Sequence, residues 1–378
     1  MPLTYVLFGA TGDLAQKKIL PALCALDIKG TLAESFSLIA FSRRPWGDRE
    51  YREFIKPVLE AFDSVDVEHF LARVRYVQGT FDDAASFATL RDAVTDTDVI
   101  CHLAIEPKFY TQVVEHLGNT GLAGKILIEK PFGHDLASAL ELERTVEKYF
   151  SQENIFRVDH YLGKPGLDAL DARLDGLHAA SVSCSIFSTA DVSERAEFYD
   201  TVGELRDVGQ NHLLQMLAAV LADIGGAGVL PSPAARAEVF EHLTPELSTL
   251  ERGQYAGYAQ ARGIATGSQT ETYFKITAHS SSPRWQGVPL VLEAGKALGE
   301  KRTEIIINFT DGSQRLLAVE IPGGRLDYEV LVQDAMQGAH ERFVSMDEVS
   351  AAWKFTDVVR ARLPQVPLRL YNKGAVLQ

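Results

Sequence analysis

Short apolar runs alternate with helical segments along the first 160 residues, and this alternation restricts the possible folds more than any other feature of the sequence. The clearest helical segment spans residues 136–150. The six apolar runs are residues 5–8, 36–41, 74–77, 99–104, 125–128 and 154–158. Strands that alternate with helices form a parallel sheet with helices packed on it. The sequence therefore predicts an α/β domain with a doubly wound parallel sheet over residues 1–160, which is a nucleotide-binding architecture.

After about residue 175 the pattern changes to one typical of an antiparallel sheet. Residues 180–187 alternate polar and apolar side chains with period two, as a half-buried strand does. Further strands are predicted at residues 272–278, 288–293, 304–309 and 314–320, and helices near residues 206–223, 233–242, 328–337 and 347–360. The Gly- and Gln-rich stretch 249–270 is the most linker-like internal segment. We therefore expect residues 161–378 to form an α+β domain with an open mixed or antiparallel sheet.

The overall charge and the cysteine spacing exclude several classes of protein. The 378 residues include 37 basic and 51 acidic side chains, and the net charge of −14 argues against a nucleic-acid or membrane partner. Cys24, Cys101 and Cys184 lie far apart in apolar surroundings, so we expect reduced core residues rather than disulfides or metal ligands. No apolar run approaches the length of a membrane span, and no basic segment precedes the first strand. These features predict a cytoplasmic protein without a signal peptide or a metal site.

The turn between the first strand and the first helix is glycine-rich, as in Rossmann-like domains. Gly9 permits a tight turn, and Gly12 lets backbone N–H groups approach a pyrophosphate at the helix N-terminus. The pattern is GxxGxxA rather than the full GxGxxG, so an ordinary βα turn is the alternative interpretation. The candidate cofactor-binding residues of this turn are Gly9, Thr11, Gly12, Asp13 and Leu14.

The residues that follow the second strand predict which dinucleotide is bound. A site specific for NAD has an acidic residue there, which accepts a hydrogen bond from the ribose 2′-hydroxyl. This chain has Arg43 and Arg44 instead. Guanidinium groups suit a 2′-phosphate, because they form forked, charge-assisted hydrogen bonds. We therefore expect NADP to be preferred mainly through Arg43, with a solvated charge pair as the alternative interpretation.

Four polar side chains of different chemistry follow the sixth apolar run. Asp159, His160, Tyr161 and Lys164 lie close together at the end of a predicted buried strand. Ligand crevices in α/β sheets form outside the carboxyl ends of the strands. Charged groups are costly to bury unless they are paired. The cluster therefore predicts a site for an anionic or hydroxylated ligand.

A second group of polar side chains lies on the helix predicted near residue 206. Asp207, Asn211 and Gln215 are four residues apart and form one stripe, with His212 at its side. Histidine suits base catalysis because its pKa lies near neutrality. A structural histidine in the core is the alternative interpretation.

One more candidate residue follows the fifth strand. Lys130 precedes Pro131 at this point and has the chemistry to donate a hydrogen bond to a substrate hydroxyl or a cofactor carbonyl. The proline is able to hold a sharp turn through a cis peptide bond. A lysine on an exposed loop is the alternative interpretation of the same residues.

Taken together, these segments resemble the glucose-6-phosphate dehydrogenase family over nearly the whole chain. They occur in the order typical of that family, and several are long and specific. The matching segments are GATGDLAQKK (9–18), IEKPFG (128–133), FRVDHYLGK (156–164), RDVGQNHLLQML (206–217), RGQYAGY (252–258) and RWQGVPLVLEAGKAL (284–298). The resemblance implies NADP-dependent oxidation of glucose 6-phosphate to 6-phosphogluconolactone by a homodimer whose residues 161–378 bind the substrate and form the subunit interface.

The resemblance also implies roles for the catalytic and phosphate-binding residues. His212 would accept the proton of the anomeric hydroxyl while a hydride leaves the same carbon for the nicotinamide. Asp159 would orient His212 and stabilise its charged form. His160, Tyr161 and Lys164 would bind the phosphate group of the substrate.

The sugar hydroxyls have their own set of implied contacts. Lys130, Asp207 and Lys296 would contact these hydroxyls, and Lys130 would also lie near the nicotinamide. Pro131 is expected to be cis. In the stretch 191–199, which is shorter than the glycine-rich loop usual in the family, the acidic sugar contact would be Asp191.

The chain departs from the family pattern in two further places. Only about 18 residues separate Phe309 from Asp327, so strands are missing from the sheet that commonly carries the subunit interface. Glu106 stands where many members have a proline near the nicotinamide.

Two other functions are compatible with these departures. Because the shortened loop borders the expected sugar site, the same chemistry on another aldose phosphate or an aminosugar phosphate is one alternative. A catalytically silent regulatory protein that binds the cofactor is the other, although the presence of Asp159, His160, Lys164 and His212 argues against it. NAD is an alternative to NADP as the hydride acceptor.

Overall fold

The computed structural model describes residues 2–62, 67–168, 178–222, 230–321 and 326–376. Two compact units are present. The first comprises Met1–Gly133, Ala137–Gly163 and Arg325–Val344. The second comprises His134–Leu136, Lys164–Gly324 and Ser345–Gln378.

The first unit is built on a six-stranded parallel sheet. Its strands are β1 (Leu3–Phe8), β2 (Phe36–Ser42), β3 (Val74–Gln78), β4 (Asp98–Leu103), β5 (Lys125–Glu129) and β6 (Ile155–Val158). The strand order is β3-β2-β1-β4-β5-β6, and every neighbouring pair is parallel. The order reverses between β1 and β4, so the carboxyl ends of these strands form a crevice suited to a dinucleotide. The predicted doubly wound α/β domain is confirmed.

The second unit is built on a seven-stranded mixed sheet. Its strands are β7 (Ala179–Phe187), β8 (Leu243–Tyr255), β9 (Tyr273–Ser280), β10 (Leu290–Gly295), β11 (Arg302–Phe309), β12 (Gln314–Ala318) and β13 (Leu368–Tyr371). Their order is β12-β11-β7-β10-β9-β8-β13. The pairs β7–β10 and β8–β13 are parallel, and the other neighbours are antiparallel. An open mixed sheet was expected for this part of the chain, and the expectation is confirmed.

The helices follow the predicted positions, with two π-helical segments. The α-helices are α1 (Leu20–Ile28), α2 (Asp48–Phe62), α3 (Glu68–Ala72), α4 (Ala84–Ala93), α5 (Tyr110–Thr120), α6 (Leu136–Val146), α7 (Pro165–Asp168), α8 (Ala196–Glu204), α9 (Leu214–Leu221), α10 (Pro233–Glu241), α11 (Asp327–Gln337) and α12 (Met346–Arg362). The π-helical segments Ala15–Ile19 and Leu205–Leu213 directly precede α1 and α9. The helix predicted near residues 206–223 is therefore partly π-helical, and residue 223 lies outside the described ranges.

The linker-like prediction for residues 249–270 is wrong at its amino-terminal end. Strand β8 continues to Tyr255, with Gly253 and Tyr255 buried. Two polar side chains at this end of the stretch, those of Arg252 and Gln254, are satisfied by backbone carbonyls. The Arg252 Nε donates to the Val366 oxygen at 2.7 Å, and the Gln254 Nε2 donates to the Thr270 oxygen at 3.0 Å. Because these partners are distant in sequence, composition alone gave no sign of them.

The core of the first unit includes a helix that comes from near the end of the chain. Tyr328, Leu331 and Val332 of α11 belong to the same buried cluster as Leu20 and Leu23 of α1. None of the helices in the described part of the chain is both long and apolar enough to cross a membrane.

Candidate active site

The turn after β1 has the geometry that its glycines predict. Gly9 has a φ of +74°, and a Cβ at this position would lie 2.3 Å from the backbone oxygen of Ala104. The N–H of Gly12 donates to the Gly9 oxygen at 2.8 Å and closes the turn. Only glycine fits the first position, because a side chain there would be both strained and in collision with β4.

Side chains from neighbouring elements hold this turn in place. The Thr11 hydroxyl lies 2.9 Å from the Ser42 hydroxyl, and the Tyr51 hydroxyl donates to the Ala10 oxygen at 3.0 Å. Leu14 packs against the core. The Asp13 carboxylate is exposed and pairs with Lys17 at 2.7 Å. Thr11 and Leu14 therefore fix the backbone of the turn.

A cleft of about 540 Å³ opens at the carboxyl ends of β1 to β4. Gly9, Thr11 and Gly12 line it, as does Arg43 from the end of β2. Arg43 is exposed and has no hydrogen-bond or ion-pair partner in the described ranges. The neighbouring guanidinium of Arg44 instead lies 4.7 Å from the centre of the Trp46 ring. Of the two arginines, Arg43 is therefore the one available to a ligand in this cleft.

Glu106 lines the opposite wall of the same cleft. Its carboxylate pairs with Lys108 at 2.6 Å, and about two thirds of each side chain is exposed. The lysine offsets the negative charge that the departure from the family pattern introduces.

The segment after β5 contains a cis peptide bond between Lys130 and Pro131, as expected. The residue before it, Glu129, anchors this segment in the core. The Tyr110 hydroxyl donates to the Glu129 backbone oxygen at 2.8 Å, and His102 Nε2 lies 2.8 Å from Glu129 Oε1. These contacts fix the strand end that presents Lys130.

The buried Glu129 carboxylate also accepts a hydrogen bond from Tyr328 at 3.0 Å. The His102 ring on its other side lies 2.6 Å from the Tyr5 hydroxyl. Burial and the nearby Glu129 charge raise the pKa of Tyr328 well above its usual value. Tyr328 is therefore a neutral hydrogen-bond donor at all ordinary pH values. Sequence analysis did not single out this network, because its members come from β1, β4, β5 and α11.

Contacts within the first unit fix the polar side chains of the segment that follows β6. Asp159 is 1% exposed, and its Oδ1 accepts a hydrogen bond from the Tyr161 N–H at 3.0 Å. The His160 ring lies between the rings of Tyr161 and Tyr328, with centroid distances of 4.9 and 6.2 Å. Gly163 packs closely against this unit's α11, since a Cβ there would lie 2.4 Å from a backbone oxygen.

In the second unit, the π-helical segment Leu205–Leu213 carries Asp207 and His212, and both side chains are buried. Asn211 holds the wide turns of this segment. Its Nδ2 donates to the Arg206 oxygen at 3.1 Å, and its Oδ1 accepts from the His212 N–H at 2.7 Å. π-Helical turns occur often at functional sites.

Four charged side chains meet beside this helix. Arg195 binds both oxygens of Asp207, at 3.0 and 2.6 Å. The Lys296 Nζ lies 3.5 Å from Asp207 and 3.4 Å from Glu204. Burial raises the pKa of the Glu204 carboxyl. The structure thus brings the predicted residues Asp207 and Lys296 together.

Sequence analysis missed Arg195 and Glu204. A basic residue in the shortened 191–199 stretch, close in sequence to Asp207, was the available signal for Arg195. Glu204 gave no such signal, because it follows a break in the helix at Gly203 and is buried only by tertiary packing.

The remaining two predicted residues form ion pairs elsewhere in the second unit. Lys164 is 8% exposed, and its Nζ lies 2.9 Å from Glu320. Asp191 pairs with Lys373 and accepts a hydrogen bond from the Ser193 N–H at 3.0 Å. The Lys373 ammonium holds the pKa of Asp191 at about 2. No hydrogen bond or ion pair joins Asp191 to Asp207 or Lys296 among the contacts of the described residues.

Comparisons with known proteins agree with the resemblance seen in the sequence. Residues 6–168 match the family model for the glucose-6-phosphate dehydrogenase NAD binding domain, and residues 170–322 match the model for the C-terminal domain of the same enzyme. Glucose-6-phosphate 1-dehydrogenase 2 of Mycobacterium bovis is 35% identical over 82% of this chain and 68% of its own length.

A relative of nearly full coverage and a solved structure extend the comparison. Glucose-6-phosphate 1-dehydrogenase of Rhizobium meliloti is 31% identical over 95% of this chain and 90% of its own length. A glucose-6-phosphate dehydrogenase in complex with its substrate glucose-6-phosphate has a TM-score of 0.88 and is 26% identical. The similarity covers 100% of this chain and 95% of that structure.

Proposed function

Because the chain belongs to the glucose-6-phosphate dehydrogenase family, we propose that it oxidises C1 of glucose 6-phosphate to 6-phosphogluconolactone with NADP as the hydride acceptor. The observation that carries the proposal is the combination of a dinucleotide cleft behind Gly9 with a buried acid, a buried imidazole and lysines at the family's motif positions. Residues 1–160 serve as the dinucleotide-binding domain in this proposal, and residues 161–378 bind the substrate and form a homodimer.

The cleft in the first unit fits a nicotinamide dinucleotide. Gly9, Thr11, Gly12, Asp13 and Leu14 form the turn that would hold the pyrophosphate, since the backbone there is tight and free of a Cβ at Gly9. When bound, the nicotinamide supplies the site that accepts the hydride. Lys130 directly follows strand β5, and in this proposal its ammonium contacts both cofactor and substrate.

Arg43 provides the preference for NADP over NAD. Its side chain lines the cleft and is not engaged by another residue within the described part of the chain. A 2′-phosphate would supply the missing charge partner through forked hydrogen bonds. NAD lacks that phosphate, so it gains nothing from Arg43.

The chemical step that we propose uses His212 as the general base and Asp159 as its orienting carboxylate. His212 takes the proton of the C1 hydroxyl, the electrons of that O–H bond form the carbonyl of the lactone, and the C1 hydrogen leaves as hydride. Both side chains are buried, and a buried carboxylate stabilises an imidazolium more strongly than one in water does. The Tyr161 N–H that binds Asp159 Oδ1 fixes the orientation of this carboxylate.

Substrate recognition divides between the phosphate and the sugar. His160, Tyr161 and Lys164 are the proposed phosphate ligands, in keeping with their cationic or hydroxyl groups. Lys130, Asp207 and Lys296 are the proposed sugar contacts, and the Arg195 fork holds Asp207 with both oxygens fixed. Asp191 is the weakest member of the set because Lys373 already binds its carboxylate.

The shortened stretch after β7 favours one alternative substrate class. Asp191 is tied to Lys373, and Arg195 from the same stretch reaches Asp207. A guanidinium beside the sugar contacts suits additional hydroxyl oxygens and repels an ammonium group, so another aldose phosphate is the second candidate and an aminosugar phosphate is the less favoured one.

An absorbance assay at 340 nm tests these proposals. Purified enzyme is supplied with glucose 6-phosphate, other aldose 6-phosphates and glucosamine 6-phosphate, each with NADP and with NAD. We expect the highest kcat/KM for glucose 6-phosphate with NADP. A higher kcat/KM for another sugar phosphate would establish the second candidate, and cofactor binding without reduction of either cofactor would establish a regulatory role. Light scattering of the same sample tests the homodimer.

A further inference from the structure

An arginine-lined cleft in the second unit takes no part in the chemistry proposed above. Its volume is about 370 Å³, which is enough for a small phosphorylated molecule. Arg206 at the start of the 205–213 helix, Arg252 of β8 and Arg360 of α12 line it together with Glu271. The net charge of the whole chain is −14, so a cleft lined by three arginines is unusual for this protein.

Arg252 is the residue that sets this cleft apart. It is only 8% exposed, yet its guanidinium donates to two neutral backbone oxygens, those of Val366 at 2.7 Å and Gln269 at 3.2 Å. Within the described residues, no carboxylate forms an ion pair with it. A buried cation that lacks a counter-ion carries a desolvation cost that an anionic ligand would offset.

Other buried arginines of the chain form ion pairs with carboxylates. Arg157 pairs with Glu143 in the first unit. In the second unit, the fully buried Arg236 lies 2.8 Å from Glu348. The lack of a carboxylate partner for Arg252 among the described residues is therefore specific to this cleft and is not typical of the buried arginines of this protein.

Arg206 resembles Arg252, because backbone oxygens accept its hydrogen bonds. Its guanidinium donates to the backbone oxygens of Val202, at 2.9 Å, and Thr201, and it has no ion-pair partner that the described ranges reveal. Burial lowers the pKa of Arg206, while the nearby charges of Glu271 and Arg360 act on it in opposite directions. Arg360, the third arginine of the cleft, pairs with Asp357 of its own helix at 3.1 Å.

Glu271 is the only acidic residue among the described residues that line the cleft. Its Oε1 accepts a hydrogen bond from the Leu205 N–H at 3.1 Å, and burial raises its pKa to about 7. Because Arg360 already pairs with Asp357, the Glu271 carboxylate, even when ionised, balances only one of the other two guanidiniums. The remaining positive charge and the guanidinium N–H groups of the cleft suit the oxygen atoms of a phosphoryl group.

We propose that this cleft is a second anion site, in which Arg206, Arg252 and Arg360 bind the phosphoryl group of a small ligand. The site is independent of the proposed substrate-phosphate residues. Its ligand would contact the first turn of the helix that carries Asp207 and His212, so occupancy would stabilise that helix.

Binding of inorganic pyrophosphate to the full-length protein tests the site, with calorimetry and the thermal unfolding midpoint as readouts. All measurements use a Lys164→Gln background, which removes a proposed ligand of the substrate phosphate. We expect this background to retain pyrophosphate binding and a rise in Tm. Adding Arg360→Gln should weaken binding at least about tenfold, because one charge-assisted hydrogen bond is lost. Lys354→Gln is the matched control, since it removes an exposed charge on the same helix that lines a different groove.

Two results would overturn the proposal: loss of all pyrophosphate binding in the Lys164→Gln background, or equal weakening by Arg360→Gln and Lys354→Gln. Arg206→Gln provides a second variant if Arg360→Gln unfolds. Tungstate soaked into crystals gives an independent readout, and its anomalous signal is expected between the three guanidiniums. A signal only near Lys164 would contradict the second site.

Discussion

Removal of the Arg43 guanidinium should weaken NADP binding without affecting the fold. Arg43 is exposed and makes no contact that the Arg43→Ala change would break within the described structure, so the free energy of unfolding should change by less than about 0.5 kcal/mol. The proposed 2′-phosphate contact is a charge-assisted hydrogen bond worth about 1.5–3 kcal/mol. The KM for NADP should therefore rise about 10- to 150-fold, while the KM for NAD stays constant.

Arg44→Ala is the matched control for this prediction. The Arg44 guanidinium lies over Trp46, so its removal should cost about 0.5–1 kcal/mol of stability through the lost cation–π contact. Its effect on the KM for NADP should stay below about threefold. Initial rates at 340 nm with varied NADP and NAD measure both variants. An unchanged KM for NADP in Arg43→Ala, or a larger rise in Arg44→Ala, would refute the assignment of the 2′-phosphate to Arg43.

Three further predictions concern stability. Gly9→Ala should lower the free energy of unfolding by about 2–3 kcal/mol and impair cofactor binding, because it combines a φ of +74° with a steric collision. Gly30→Ala is the control, since it has only the strain of a φ of +67°. Equal losses of stability in urea unfolding of the two variants would show that the collision is unimportant. Arg236→Met should cost about 3–5 kcal/mol, since it leaves the Glu348 carboxylate buried and unpaired, and a loss below about 1 kcal/mol would contradict this. Burial raises the folded-state pKa of Glu271 to about 7, above the unfolded value of about 4.5. Between these pH values the folded state binds more protons than the unfolded state, so the free energy of unfolding should fall as the pH rises from about 4.5 to 7. Glu271→Gln should reduce that slope in thermal melts, and an identical slope would argue against the raised pKa.

The first sheet was predictable from sequence because each of its strands is marked by a pattern within a short stretch of residues. Strands such as β1, β2 and β5 are short, largely apolar runs buried on both faces, and such runs stand out against the helices between them, whereas β3 at the sheet edge exposes Arg75 and Gln78. The glycine turn after β1 was predictable for a similar reason. A tight turn at that place requires a residue that tolerates positive φ, and Gly9 provides it.

Features that depend on distant partners were not predictable. Strand β8 extends to Tyr255, into the Gly- and Gln-rich stretch 249–270 that was predicted to be linker-like, and the carbonyl partner of its Arg252 lies 114 residues away. Helix α11 was recognised as a helix, yet its membership of the first unit follows from packing against α1. The fork between Arg195 and Asp207 likewise depends on the fold of a loop with no regular pattern.

The most direct test of the proposed chemistry is kcat of His212→Asn with glucose 6-phosphate and NADP, measured beside the wild type and His160→Asn. Loss of a general base should lower kcat about 10²- to 10⁴-fold with little change in the KM for glucose 6-phosphate. His160→Asn should instead act mainly on that KM, because it removes a proposed phosphate ligand. A His212→Asn enzyme that keeps more than about a tenth of the wild-type kcat, or a wild type that forms no NADPH from glucose 6-phosphate, would contradict the proposed mechanism.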